Sequence, residues 1–452
     1  MLLTDLNRYG GIGANSHLIE LGEVRILIDC GIHPKKAGRD ALPELRVLEE
    51  HPPDAVIVTH CHLDHLGALP LVLRGHPNIP AMMSVPSAHL AERLLRNSVN
   101  VMKRQREESG RQEPPLYGIR EVEAAVPRFV AMPYGHARRM STGDSDVEVT
   151  FFCAGHVTGA AGIQLVHKHR AVFFTGDVQF ETQAVVGPAR FPARKFDTVV
   201  TETTRGATER PVGKDRESEL ARLLETIRHV IDRGGSVLIP VFALGRMQEV
   251  FMALHEARSK HQLPAAQIFA AGLGMDLCDY MDEIARKTGL ANFSRSIVRD
   301  LGVKPTPRGL VAGREVRERG IYVVSSGMVV ENTPSYLIAS CLVGRPENAI
   351  CFVGYCDPET PGGGLLAARR GETFVFDALN VQAPVRATIE RFELTGHADR
   401  EELLEFSMQA DPRAVVLCHG DPPAREWFRN ELMERSPKTT VLDPVPLQSY
   451  EV

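Results

Sequence analysis

Apolar runs, each closed by a polar cluster, mark the first 205 residues. The stretches VRILIDCG (24–31), DAVIVTH (54–60), VEVTFFCAG (147–155), AVFFTGD (171–177) and DTVVTET (197–203) are rich in β-branched and aromatic residues and predict strands. Each ends on Asp, His or Glu, so the pattern predicts a sheet frame with its chemistry at one rim. Near residue 205 the texture changes. A polar link, RGATERPVGKD, precedes an amphipathic helix with Leu220, Leu223, Leu224, Ile227, Val230 and Ile231 on one face, stopped by Gly234 and Gly235. SVLIPVFAL then predicts a buried strand, GRMQEVFMALHEA a helix, and IYVVSSG and NAICFVGY further strands, the alternation of a parallel α/β unit. After about residue 380 the early style returns in ELTGHAD and AVVLCHGD. The expectation is one domain formed by 1–205 and 381–452, split by an inserted domain at 206–380.

Composition narrows the class. The 452 residues exceed one ordinary core. The formal net charge of −5 argues against a broadly basic nucleic-acid coat, although local basic patches stay compatible with it. No apolar run reaches the length of a membrane span, and the first residues lack the pattern of a signal peptide. Eight scattered cysteines without a C-x-x-C pair point to free thiols in a reducing cytoplasm. Cys30, Cys61 and Cys418 neighbour candidate ligands but are read as core fillers, because adjacent side chains on a strand point to opposite faces. The charged stretch 103–115, KRQREESGRQEPP, is read as a solvated helix end or loop, with an RNA contact as the alternative.

The most concentrated chemistry is THCHLDHLG (59–67), which places His60, His62, Asp64 and His65 within six positions. Imidazole nitrogen and carboxylate oxygen are the ligands a divalent ion such as zinc takes. One such histidine is ordinarily a satisfied polar residue; four groups together favour a metal site over a polar turn. His156 in a small-residue loop, Asp177 at a strand end and His419 at another supply further ligands. Asp29 also ends a strand, where it would orient a ligand histidine or hold the loop.

These residues, in this order, resemble the metallo-β-lactamase superfamily. The resemblance implies an αββα sandwich in which one ion takes His60, His62 and His156, a second takes Asp64, His65 and His419, and Asp177 bridges them. The insertion resembles that of the β-CASP branch, which holds RNA-processing nucleases of the ribonuclease J and pre-mRNA 3′-end endonuclease kinds. Glu202 in TETTRG matches its motif A, His397 in LTGHAD its motif B and His419 its motif C; IPVFALGRMQE, SSGM and VGY resemble signatures of the inserted parallel α/β domain. A histidine at motif C goes with the RNA-cleaving members. Arg205 departs from the tyrosine of the 3′-end endonucleases, and the compact chain fits a bacterial member better.

The resemblance implies phosphodiester hydrolysis of single-stranded RNA by a water activated between two divalent ions, Zn2+ or Mn2+. His397 would donate the leaving-group proton and Glu202 would orient it, with Asp64 also in the catalytic set. A rival role for His397 is to cap the helix that begins near ADREELLEF. Ser325, Ser326 and Gly327 are placed to bind phosphate, or form an ordinary turn. Arg205 and Arg246 would contact the RNA backbone or form surface salt bridges. A DNA nuclease of the same branch, a thioesterase- or lactonase-class hydrolase and a non-catalytic RNA-binding subunit are the competing readings. A homodimer is compatible with the sequence, which leaves open whether cutting is internal or from an end.

Overall fold

The computed structural model describes residues 1–109, 114–211 and 213–452. The chain divides into two compact units. Unit 1 comprises Met1–Thr182, Gly187–Arg210 and His397–Val452; unit 2 comprises Gln183–Val186 and Pro211–Gly396.

Unit 1 is built on two seven-stranded sheets. The first runs, edge to edge, Ser449–Glu451, Leu2–Asp5, His17–Leu21, Val24–Ile28, Ala55–Val58, Ala81–Ser84 and Phe129–Met132. The second runs Thr440–Leu442, Ala414–Cys418, Thr198–Glu202, Arg170–Phe174, Ala161–His167, Ser145–Cys153 and Ala137–Thr142. All five strands read from the early part of the sequence are present. The sheets share one core: Leu3, Ile19, Ile26 and Ile57 from the first meet Val149, Phe151, Ile163, Val172, Val200 and Val416 from the second. The period-2 alternation of these positions puts them on the inward faces. The outer face of the second sheet carries Phe173, whose ring packs against Phe191, Phe196 and Phe406. Phe406 belongs to the helix Arg400–Gln409, which covers that face. On the other side, the long helix Val85–Ser109 packs on the strands Ala81–Ser84 and Phe129–Met132. Helix, two sheets and helix make the αββα sandwich. Residues 110–113 of the charged stretch 103–115 lie outside the described residues.

Unit 2 is a parallel α/β domain. Its six-stranded sheet runs Lys304–Pro305, Ile268–Ala271, Ile321–Val324, Val237–Pro240, Ala349–Val353 and Thr388–Phe392, parallel throughout. The amphipathic helix is Arg216–Asp232, capped by Asp215, whose side chain accepts from Ser218 N. SVLIPVFAL is a strand over Val237–Pro240, and Val241 N still donates to Val324 O at 3.0 Å before the chain leaves the sheet. Residues 381–396, which the sequence grouped with the returning segment, lie in unit 2, because Thr388–Phe392 pairs in register with Ala349–Val353.

Arg246 and Arg205 are buried rather than exposed to a ligand or solvent. Arg246 donates to Leu394 O at 2.7 Å and also bonds the Gln183 side chain. Beside it, Glu249 accepts from Ala184 N and Val185 N, so the short excursion Gln183–Val186 is fastened into unit 2. Burial pulls the Arg246 guanidinium down to about 10, with Arg216 adding to the effect. Arg205 faces Asp399 at 3.9 Å within unit 1.

Candidate metal centre

Six strands of unit 1 deliver the site at their carboxyl ends. Val24–Ile28 leads into Asp29, Ala55–Val58 into His60, Ser145–Cys153 into His156 and Arg170–Phe174 into Asp177. Glu202 ends its own strand, and Ala414–Cys418 leads into His419. Asp64 and His65 sit on the short helix Leu63–Leu66, which starts directly after His62. Asp29 and His419 both adopt positive φ, +59° and +44°. A non-glycine residue there costs roughly 1–2 kcal/mol, a strain the surrounding hydrogen bonds must offset. Gly31 is required by close approach: a Cβ at that position would lie 1.6 Å from Asp64 O.

The seven predicted ligands converge. His60, His62, His156 and Asp177 can each offer one ligand atom within 4.8 Å of the others, and so can Asp64, His65 and His419. Asp177 lies between the two groups, its carboxylate 3.7 Å from His60 Nε2, 3.5 Å from His65 Nε2 and 3.2 Å from His419 Nδ1. Imidazole nitrogens face one another closely: His60 Nε2 and His62 Nδ1 at 3.0 Å, His156 Nε2 and His62 Nδ1 at 3.2 Å, His65 Nε2 and His419 Nε2 at 3.3 Å.

The residues fit divalent cations. Asp177 Oδ1 is buried and makes no acceptable hydrogen bond, even with His419 Nδ1 beside it, and His62 Nε2 is likewise buried without a partner. Orphaned buried groups of this kind are costly unless something else satisfies them. Protonation also suits ligation. Burial, reinforced by the neighbouring His65, drives His60 well below the ordinary histidine range, and burial lowers His62, so both rings keep their lone pairs. Burial opposes ionisation of Asp64, yet the imidazoles of His65 and His419 outweigh it and hold the carboxyl low. His65 goes the other way: burial opposes charging it, but Asp177, Asp29 and Asp64 outweigh burial and raise it, so the carboxylates around this ring favour positive charge at the place an ion's charge would take. A cluster with this many acceptors and neutral nitrogens is built for positive charge.

Asp29 stands behind the ligands. It accepts from Thr59 N at 2.7 Å, Thr59 Oγ1 at 2.8 Å and His65 Nδ1 at 2.7 Å, holding both the ligand ring and its loop. Thr204 Oγ1 lies 3.0 Å from His419 Nδ1. Asn15, whose amide approaches His65 Nδ1 at 3.2 Å, went unread in the sequence; its only signal is its place in the small-residue loop GGIGANS.

His397 and Glu202 form a pair at the same centre. His397 Nδ1 lies 2.8 Å from Glu202 Oε2 and 3.1 Å from Oε1, while Glu202 Oε1 also accepts from Val178 N at 2.7 Å. His397 Nε2 is 4.0 Å from Asp177 Oδ2, and its ring packs 4.5 Å from that of His156. Burial opposes the imidazolium, but Glu202 outweighs it and His397 is raised. The helix-cap role falls to Asp399, whose side chain accepts from Glu401 N. Cys30, Cys61 and Cys418 take no part in the ligand groups; Cys61 Sγ donates to Ser87 O and Cys418 Sγ to Thr201 O.

Ser325, Ser326 and Gly327 belong to unit 2, after the strand Ile321–Val324. Ser326 takes part in the turn: its Oγ accepts from Val330 N at 3.0 Å and its carbonyl accepts from Ser335 Oγ at 2.8 Å, while Ser325 O accepts from Ser335 N. Among the described residues no helix is long and apolar enough to cross a membrane.

Three family profiles match the chain in succession. They are the metallo-beta-lactamase superfamily over residues 9–228, the Beta-Casp domain over 219–365, and the Zn-dependent metallo-hydrolase RNA specificity domain over 382–443. The chain is 30% identical to the transcription termination factor FttA of Pyrococcus abyssi over 93% of its own length. It spans 66% of that protein, about two thirds. It is 29% identical to the ribonuclease TTHA0252 of Thermus thermophilus, covering 91% of both chains, and 25% identical to the Integrator complex subunit 11 of Gallus gallus over 95% of this chain and 70% of that one. A crystal structure of a protein of unknown function from Enterococcus faecalis shares the fold, with a TM-score of 0.52 at 14% identity over 100% of this chain and 99% of that chain. Sandwich, insertion, ligand order and profile matches agree: the chain belongs to the metallo-β-lactamase superfamily, in its β-CASP branch.

Proposed function

We propose that this chain is a metal-dependent ribonuclease that hydrolyses phosphodiester bonds of single-stranded RNA. The observation that carries the reading is the Glu202–His397 pair beside the seven-ligand cluster, a proton donor that a simple thioesterase or lactonase centre does not need. An RNA specificity profile over 382–443 and a relative named as a ribonuclease support RNA as the substrate class.

In this reading His60, His62, His156 and Asp177, together with Asp64, His65 and His419, would hold divalent ions, with zinc as the metal. Ions held there supply Lewis acidity to water and to the phosphate. The protein's own groups do the rest. Neutral His60 and His62 keep their lone pairs directed inward. Asp29 fixes the His65 ring through Nδ1, so that Nε2 faces the cluster. Glu202 holds the Nδ1 hydrogen of His397, which leaves the Nε2 proton aimed toward Asp177, where the leaving oxygen would depart. The anchor of Glu202 on Val178 N keeps this pair from swinging.

The test is turnover by zinc-loaded protein on labelled single-stranded RNA, on single-stranded DNA of the same sequence, and on a panel of esters, lactones and lactams. RNA cleavage that a chelator abolishes supports the proposal. Turnover of the panel alone overturns it, and cleavage of DNA in preference to RNA moves the chain to the DNA-processing side of the branch.

A further inference from the structure

The two residues directly after Asp177 grip the loop that carries His397, all of it within unit 1. Val178 N donates to Glu202 Oε1 at 2.7 Å, and Glu202 in turn takes the His397 Nδ1 hydrogen. Val178 O accepts from Ala398 N at 2.6 Å. Gln179 Nε2 donates to His397 O at 3.0 Å. The peptide group that joins His397 to Ala398 is thus fastened at its oxygen and at its hydrogen, one bond from each of two consecutive residues.

This strap is itself held from behind. Gln179 N donates to Ala154 O at 2.8 Å, and Gln179 O accepts from Ala189 N at 2.8 Å. The Gln179 side chain is fully buried, and two partners fix the orientation of its amide independently. Glu181 N can only donate, so the amide atom it meets at 3.0 Å is the oxygen. A carbonyl can only accept, so the atom that meets His397 O is the nitrogen. Both conditions give the same orientation, and both ends of the amide are satisfied.

The bonds of Val178 use backbone atoms, which any residue but proline supplies. The bond from Gln179 to His397 O depends on the side chain. Methionine would fill the same space without the cost of burying an amide. Asparagine would keep the turn onto Glu181 N, because its side chain readily bonds the backbone two residues on, but it is one methylene too short to reach His397 O. A glutamine at this position therefore answers a demand that neither space-filling nor the local turn makes, namely where His397 stands.

We propose that Gln179 is a positioning residue, which sets the His397 ring against Asp177 for proton transfer and takes no part in holding metal. This rests on the reading of His397 as the proton donor of a ribonuclease. The experiment is single-turnover cleavage of labelled single-stranded RNA by the zinc-loaded full chain, for wild type, Gln179→Met and Gln179→Asn, each also in a His397→Ala background. Elemental analysis and thermal melts accompany it. Both substitutions should keep the wild-type metal content and half-saturating RNA concentration, and should lower the saturated rate by about 10–100-fold. In the His397→Ala background they should change the residual rate by less than about 3-fold, because the group they misplace is gone. Equal losses in the two backgrounds overturn the proposal, since a defect of fold or metal is felt with or without the ring. Loss of metal overturns it as well, and so does Gln179→Asn at the wild-type rate, which would put any effect of methionine in the turn to Glu181. If Gln179→Met fails to fold, Gln179→Asn against wild type decides. A wild-type chain that leaves RNA intact overturns the ribonuclease reading and the strap together.

Discussion

Two of the bonds that hold His397 do different work. Glu202 fixes which nitrogen carries the inward proton, and Gln179 Nε2 donates to His397 O at 3.0 Å, fixing the loop. Removing the ring should leave the seven ligands in place. His397→Ala is therefore expected to bind metal as wild type does, by elemental analysis, while single-turnover cleavage slows by about two orders of magnitude or more. The charge state of this histidine gives a second prediction. Glu202 raises it above its ordinary value, so the acid form persists to higher pH and activity falls as pH rises through that value. Glu202→Gln removes the carboxylate charge that sustains the imidazolium. The alkaline limb of the pH–rate profile should move to lower pH, with a reduced plateau because a neutral amide holds the Nδ1–H, and with it the ring, less firmly than the carboxylate does. An unmoved limb would show that another group titrates there.

At the scale of elements, the segment TGHAD shows what a sequence pattern carries. Asp399 closes a capping box with Glu402, its N–H donating to Glu402 Oε2 at 2.8 Å, and so starts the helix two residues after His397. Arg205 and Arg210 flank its carboxylate at 3.9 and 3.8 Å. Asp399→Ala should cost about 1–2 kcal/mol of stability in thermal or urea unfolding, since it removes a cap and leaves buried guanidinium charge less well paired. Such signals are local, which is why the strands, the amphipathic helix and the rim of ligands could be read directly from the residues. The ligand run 60–65 declares itself by density alone. What could not be read depends on contacts distant in sequence. Arg205 and Arg246 carry no local mark of burial, because their partners Asp399 and Leu394 lie 194 and 148 positions away. The pairing that carries unit 2 on to Gly396 is set by register with Ala349–Val353, and Asn15 matters only through a ring 50 residues later.

Over the whole molecule, the candidate ligands gather in unit 1, and among the described residues unit 2 contributes none. Ions bound there would therefore be coupled to the stability of one unit. At a free-metal level about 1,000 times Kd, the linkage contributes about 4 kcal/mol to whichever unit carries the site. Calorimetry with and without a chelator should show one transition falling in temperature and a second holding still. Two transitions shifting together would mean that the units unfold as one. The contact His65–His419 spans 354 positions, and the strand Ser449–Glu451 pairs with Leu2–Asp5. During synthesis on the ribosome, the polypeptide must wait for residue 419 and the strands around it to emerge before the second half-site can exist.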